Sequence, residues 1–269
     1  MEPVYLRTWF HFCSILLKME DRMLTDLHCH ILPGIDDGAQ TSAIARKLLE
    51  EEKKQETGQI MFTPHYYSWM GSAEDFREKR DKAAEITAPI LKELGISWNT
   101  GAEVRMTPRI LQEDLQCLVF GSSEYLLLEW PFVAYPDFGR NETEYLMRNG
   151  LKLIFAHIER YDWFWNHPDI LAQYISKGVL CQINTGTVIR RDTRRKALRY
   201  IREGYVHILS SDAHNMDERP PKLKEAYDIV EKKLGTSAKQ KLLDNADAVF
   251  NGRDIPICFP EEDRSGLFG

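Results

Sequence analysis

The sequence predicts an α/β fold: one domain built as a distorted (β/α)7 barrel, a smaller variant of the eight-stranded TIM barrel. Three observations lead there. Short apolar runs recur along the 269 residues with helical stretches between them. A glycine repeatedly stands between a helical stretch and the run that follows. Side chains suited to metal ligation fall just after the runs, where a barrel of parallel strands gathers its active site.

Residues 1–22 come before the first run. Trp9 to Leu17 is apolar in parts but interrupted by His11, Cys13 and Ser14. It is too short to span a bilayer and lacks a leader's charge and cleavage pattern. The expectation is a dispensable extension or a short amphipathic contact helix, with Met23 as an alternative start and no stable membrane insertion. The runs are residues 24–28, 59–63, 97–102, 125–130, 151–156, 179–184 and 206–210. Most are continuous rather than alternating, as expected of strands covered on both faces. Helical periodicity fills 42–55, 74–94, 143–149 and 194–203, and residues 222–234 and 238–250 read as closing helices. Gly58, Gly95, Gly150, Gly178 and Gly204 are expected to cap helices at their C-terminal ends. No G-x-G-x-x-G follows a run, which removes the main support for a dinucleotide fold. Without a repeat or linker, 23–250 reads as one domain and 251–269 as a tail.

Composition narrows the function. The net charge of −6 argues against nucleic acid as the partner, because backbone phosphates demand a basic surface. The five cysteines, Cys13, Cys29, Cys117, Cys181 and Cys258, are widely spaced and form no C-x-x-C, so reduced thiols in a cytoplasmic protein are expected.

The chemistry lies at the C-terminal ends of the runs. His28 and His30 end the first, His65 follows the second, Glu103 the third, and Glu129 stands near the end of the fourth. His157 ends the fifth, and Asp212 and His214 follow the seventh. H-x-H and D-x-H place two side chains on one face of an extended segment. The Asp36-Asp37-Gly38 turn offers a further carboxylate, and Gly38 allows close backbone approach. Any one of these signals is weak, and their coincidence at one rim is what argues for a metal centre. His11, His167 and His207 fall outside it, His167 beside Pro168 at a helix start and His207 inside the seventh run. Imidazoles and carboxylates without thiolates suit Mn²⁺, Fe²⁺ or Zn²⁺ better than all-oxygen Mg²⁺ or Ca²⁺. So many ligands imply two or three ions, an arrangement that suits in-line displacement at phosphorus by a metal-bridging hydroxide. Arg160 and Arg219 should overhang the same rim, where a guanidinium can fork onto phosphate oxygens. The Arg190-Arg191 and Arg194-Arg195 run reads as a solvated helix face. Tyr66, Tyr67, Trp69, Phe132, Trp163 and Trp165 lie in loops at the same end, suited to loop packing or to lining an aromatic substrate.

Asp26-Leu-His28-Cys-His30, Thr63-Pro-His65, Gly101-Ala-Glu103, Ala156-His157 and Ser211-Asp212-Ala-His214 resemble the motifs of the PHP (polymerase and histidinol phosphatase) superfamily. The segments His30-Ile-Leu-Pro-Gly-Ile-Asp36-Asp37-Gly38, His157-Ile-Glu-Arg160-Tyr161 and Asp212-Ala-His214-Asn…Arg219-Pro-Pro look like one branch. That branch is the manganese-dependent tyrosine-protein phosphatases of bacterial capsule and exopolysaccharide systems (the CpsB/CapC type). The resemblance implies a trinuclear centre, usually of manganese, held by His28, His30, Asp37, His65, Glu103, Glu129, His157, Asp212 and His214. It implies that Arg160 and Arg219 contact phosphate or aid catalysis. It further implies a phosphotyrosine substrate on the tail of a bacterial tyrosine kinase, and it is compatible with a homo-oligomer. Asp37 or a metal-bound water would protonate the leaving phenolate. The alternatives are a small-molecule phosphatase acting on histidinol-phosphate-like or nucleotide substrates, and a metal-binding regulatory subunit. A thiol phosphatase is excluded, although Cys258 and Arg264 satisfy C-x5-R: Glu261, Glu262 and Asp263 would repel phosphate and oppose a thiolate.

Overall fold

Parallel strands close into a ring in the computed structural model, which describes residues 23–132 and 138–257. The extension at 1–22 with His11, and the tail beyond 257 with Cys258, lie outside the described residues. The strands are β1 Leu24–Cys29, β2 Thr57–Phe62, β3 His65–Tyr66, β4 Ser97–Thr100 and β5 Glu103–Arg105. They continue as β6 Tyr125–Glu129, β7 Lys152–Phe155, β8 Leu180–Asn184 and β9 Ile208–Ser210. Every ladder between them is parallel. The ring closes just past β9, where Asp212 donates its N–H to the His28 carbonyl at 2.8 Å and His30 donates to Ala213 at 2.8 Å. Seven strand positions therefore make the barrel, as expected.

Two of the seven are broken, which the sequence did not indicate. The run at 59–63 splits into β2 and β3, and the run at 97–102 into β4 and β5. Pro64 has no N–H to give a ladder. Gly101 lies so close to Phe120 that a Cβ there would sit 2.5 Å from its ring. The register resumes after each break, with Phe62 facing Thr100 and His65 facing Glu103. The breaks set His65 and Glu103 at the rim together.

The helices are α1 Ser42–Lys54, α2 Ala73–Leu94, α3 Gly139–Arg148, α4 Asp162–Trp165 and α5 Pro168–Ile175. After them come α6 Thr185–Ile189, α7 Arg191–Arg202, α8 Leu223–Leu234 and α9 Thr236–Phe250. Thr41 and Ser72 cap α1 and α2 by accepting N–H bonds from Ile44 and Asp75. Gly95, Gly150, Gly178 and Gly204 take positive φ after their helices, as expected. Gly58 does not: Glu56 adopts the left-handed turn, and Gly58 lies inside β2, where a Cβ would meet that of Met23 at 2.4 Å. The expected helix at 143–149 begins earlier, at Gly139, and His167 stands just before α5. Trp163 and Trp165, expected in loops, belong to α4 and pack against the core.

The barrel is filled from below. Leu27, Met61, Leu127, Ile154, Leu180 and Ile208 form an apolar cluster, completed by Ala246 and Val249 of α9. Outer helices cover the strands on the other side. Among the described residues no helix is long and apolar enough to cross a membrane.

His207 lies just before β9, not inside it. Its Nδ1 accepts the Cys181 N–H at 3.1 Å, and its carbonyl accepts from Asn245. Burial, helped by Lys241, lowers its pKa from 6.5 to about 4. Between those values the unfolded chain binds a proton that the native state does not. Stability from this residue is therefore complete above pH 6.5 and declines as pH falls toward 4. The cost reaches about 3 kcal/mol. His207→Asn, which keeps an acceptor, should flatten that part of the stability–pH curve in urea titrations; a curve unchanged from wild type would refute the assignment.

Candidate metal centre

All nine expected ligand residues converge at the C-terminal rim, on β1, β3, β5, β6 and the segments after β1, β7 and β9. Seven are almost fully buried, while His65 is partly open and the Asp37 side chain is 60% exposed. Their middle is Glu103. Its Oε2 lies 2.9 Å from His65 Nδ1 and 3.3 Å from the Nε2 atoms of both His28 and His30. Its Oε1 lies 2.7 Å from His157 Nε2. His28 and His30 turn their Nε2 atoms toward each other at 3.2 Å. Asp212 Oδ1 stands 3.5 Å from each of them.

Three overlapping sets bring ligand atoms within 4.8 Å of one another: His30–Asp37–His65–His214, His28–His30–Glu103 and His65–Glu103–Glu129. Sharing His30, His65 and Glu103 between sets is the pattern expected of ions held side by side.

The imidazoles are aimed from behind. Asp36 accepts from His30 Nδ1 at 2.6 Å, Gln182 from His28 Nδ1 at 3.2 Å, and the Asp212 carbonyl from His214 Nδ1 at 2.8 Å. Each contact fixes a tautomer and leaves Nε2 facing the centre. Asp36 also accepts the backbone N–H groups of Gly38 and His65. His30 holds its carboxyl at about 2 against the effect of burial. The Asp36–Asp37 turn thus divides its duties, Asp36 supporting His30 and Asp37 turning inward. Gln182 also accepts the His157 N–H and donates to Asn184, which donates to Asp212 Oδ2 at 2.7 Å. Asp26 accepts from the N–H of His28 and from the N–H and hydroxyl of Ser211. His157 and Asp212 both take positive φ, 31° and 54°, a strained backbone for residues with side chains.

A cavity of about 300 Å³ opens above the centre, lined by Asp37, His65, Glu129 and Asp212 together with Arg105, Arg160 and Arg219. Arg160 lies over the Phe132 ring at 4.3 Å. Arg219 reaches Asp37 Oδ2 at 3.3 Å and Asp212 Oδ2 at 3.8 Å. Of the rim aromatics, Tyr67 and Phe132 line the cavity, whereas Tyr66 is buried. Tyr67 stacks on His65 and on the exposed Trp69; Phe132 stacks on His157.

The donor set fits divalent cations. Glu103 Oε2, Glu129 Oε2, His65 Nδ1 and His214 Nε2 are buried and close to other polar atoms, yet make no hydrogen bond of proper geometry. Burial first and Glu103 second push Glu129 up to about 8, with Arg105 opposing. Two carboxylates crowded this way need positive charge between them. Cys29 does not compete, for its Sγ turns to the Met61 carbonyl and burial pushes the thiol far up.

The chain matches the family defined by capsular polysaccharide synthesis, CpsB/CapC, over residues 24–251. It is 28% identical over 254 residues to the tyrosine-protein phosphatase YwqE of Bacillus subtilis, covering 91% of this chain and 99% of that one. It is 30% identical over 240 residues to the tyrosine-protein phosphatase CpsB of Streptococcus pneumoniae, covering 82% and 96%. A solved structure from the YwqE and CpsB pair, metal-dependent tyrosine phosphatases of those two organisms, superposes with a TM-score of 0.79 at 27% identity. That match covers 88% of this chain and 98% of that one.

Gly38 offers a test of the centre that leaves every ligand in place. A Cβ there would lie 1.9 Å from the His30 carbonyl oxygen and 2.6 Å from its Cβ. Gly38→Ala should weaken Mn²⁺ binding by about 10- to 100-fold, the usual cost of disturbing a supporting shell, as read by calorimetric titration of metal-stripped protein. Affinity equal to wild type would mean that His30 is not held from this turn.

Proposed function

The chain belongs to the CpsB/CapC family of capsular polysaccharide synthesis, and on that premise we propose that it is a metal-dependent tyrosine-protein phosphatase. The observation that carries the reading is the buried Glu103 carboxylate, encircled by His28, His30, His65 and His157 beneath an arginine-lined cavity. When bound, divalent ions supply Lewis-acid charge to the phosphoryl oxygens and lower the pKa of water, which provides the nucleophile.

The chain's own residues do the rest. His28, His30, Asp37, His65, Glu103, Glu129, His157, Asp212 and His214 would hold the ions. Asp36, Gln182 and the Asp212 carbonyl keep three of the imidazoles facing them. Arg160 and Arg219 reach the cavity from the segments after β7 and β9, where two guanidinium forks can bind a phosphoryl group by its outer oxygens and orient it for in-line attack. His214, backed by the other imidazoles, holds Asp37 well below the usual carboxylate range. Of its two expected roles, ligand and proton donor, that favours the first. Tyr67 and Phe132 make one side of the mouth apolar, in keeping with an aryl ester.

Two finer points belong to the same proposal. Mn²⁺ is the preferred ion, supported by a donor set of imidazole nitrogen and carboxylate oxygen with no thiolate. The substrate is phosphotyrosine on the tail of a membrane-bound bacterial tyrosine kinase, met by this chain in the cytoplasm, supported by the family's place in capsule synthesis.

EDTA should abolish hydrolysis of a phosphotyrosine peptide and Mn²⁺ should restore it. His30→Ala and Asp212→Ala should each lower kcat by at least roughly a thousandfold while the chain stays folded. Turnover of histidinol phosphate faster than of the peptide would overturn the substrate, and activity that survives EDTA would overturn the class.

A further inference from the structure

The three overlapping ligand sets differ in how much positive charge the protein has already placed against them. In the His28–His30–Glu103 set, both Glu103 oxygens face imidazoles, and among the described residues no lysine or arginine pairs with it. In the set containing Asp37, the carboxylate is shared by its two oxygens. Oδ1 lies 3.5 Å from His65 Nε2 and 3.4 Å from His214 Nε2, while Arg219 takes the outer Oδ2 at 3.3 Å. Both partners there are solvent-exposed, so the competition is screened.

The His65–Glu103–Glu129 set is different. Arg105 Nε lies 2.7 Å from Glu129 Oε2, the same oxygen that stands 4.0 Å from His65 Nδ1. This pair is inside the protein, with the Arg105 side chain 17% exposed and that of Glu129 1%. The guanidinium cannot easily swing aside. Its Nη1 donates to the Trp130 carbonyl at 3.3 Å, and its Cζ lies 4.8 Å and 5.7 Å from the Phe132 and Tyr67 rings. A cation arriving at this set therefore meets a fixed positive charge in a poorly screened setting, at ion-pair distance from the ligand oxygen it would have to share.

We propose that Arg105 grades the centre, making the His65–Glu103–Glu129 position the last to fill and the first to empty. Arg105 is a positioning residue in this account, acting through Glu129. The inference rests on the metal reading above but fails separately from it.

The test is calorimetric titration of metal-stripped full-length protein with Mn²⁺, with bound metal counted by elemental analysis and folding followed by circular dichroism. Wild type should show a distinct weakest phase, and EDTA should release that ion first. Glu129→Gln should delete this phase alone. Arg105→Gln should tighten it by roughly tenfold or more, because a buried carboxylate left without its partner recruits a cation. Arg105→Lys, which keeps the charge, should resemble wild type. A merely structural role for Arg105 predicts the opposite sign, with the last ion weakened or lost in Arg105→Gln, and that result would overturn the proposal. If Arg105→Gln does not fold, the wild-type and Glu129→Gln arms still decide. A single common affinity in wild type, or a Glu129→Gln variant that retains the weak phase, refutes the grading. Failure of the wild type to bind any Mn²⁺ refutes instead the metal reading beneath it.

Discussion

A buried carboxylate with four imidazoles around it is the constraint on which the rest of this molecule turns. Glu103 is fully enclosed, and burial works against its charge. His28, His65 and His157 hold it ionised all the same. A group in that position is tolerable only if cationic charge is always close by. Its placement depends on the two interrupted strand positions, since the breaks at Pro64 and Gly101 bring His65 and Glu103 level with each other at the rim. The irregularity of the barrel is therefore part of the centre's construction.

Around this carboxylate stands a shell whose work is orientation. Asp36, Gln182, Asn184 and Asp26 hold ring nitrogens, the Asp212 carboxylate and the backbone beside them. Strand β8 carries none of the nine converging residues, yet through Gln182 and Asn184 it connects His28, His157 and Asp212. The left-handed backbone at His157 and Asp212 is held by the same network, through the His157 N–H on Gln182 and the Asp212 N–H on the His28 carbonyl. Strain of about 1–3 kcal/mol per residue can persist where surrounding contacts over-determine it.

Much of this was legible in the sequence because histidine and carboxylate are conspicuous and their positions follow strand ends. The barrel was legible from continuous apolar runs and from the glycines after helices, Gly58 excepted. Supporting residues were harder to see. Gln182 and Asn184 carry no titratable signature, although their spacing of two, on the strand expected to hold no ligand, was the available clue. Arg105 stands two residues after Glu103 in the same strand, and the same periodicity pointed to it. Spacing alone does not tell the adjacent acids Asp36 and Asp37 apart; the family resemblance singles out Asp37, and the turn directs Asp36 to His30 and Asp37 to His65 and His214. The strand breaks were hard to see because each run is short enough to read as one strand, and only Pro64 after 59–63 and Gly101 within 97–102 mark the places.

The floor of the barrel has its own implication. Beneath the polar rim the interior is filled by aliphatic side chains, and α9 stoppers it with Ala246 and Val249. Such a floor offers no path to water or ions, so among the described residues ester, water, released phosphate and exchanging ions meet the centre from the rim, where the cavity opens. The arginines that would grip an incoming phosphoryl group line that same rim, so departing phosphate passes the side chains that receive the next ester.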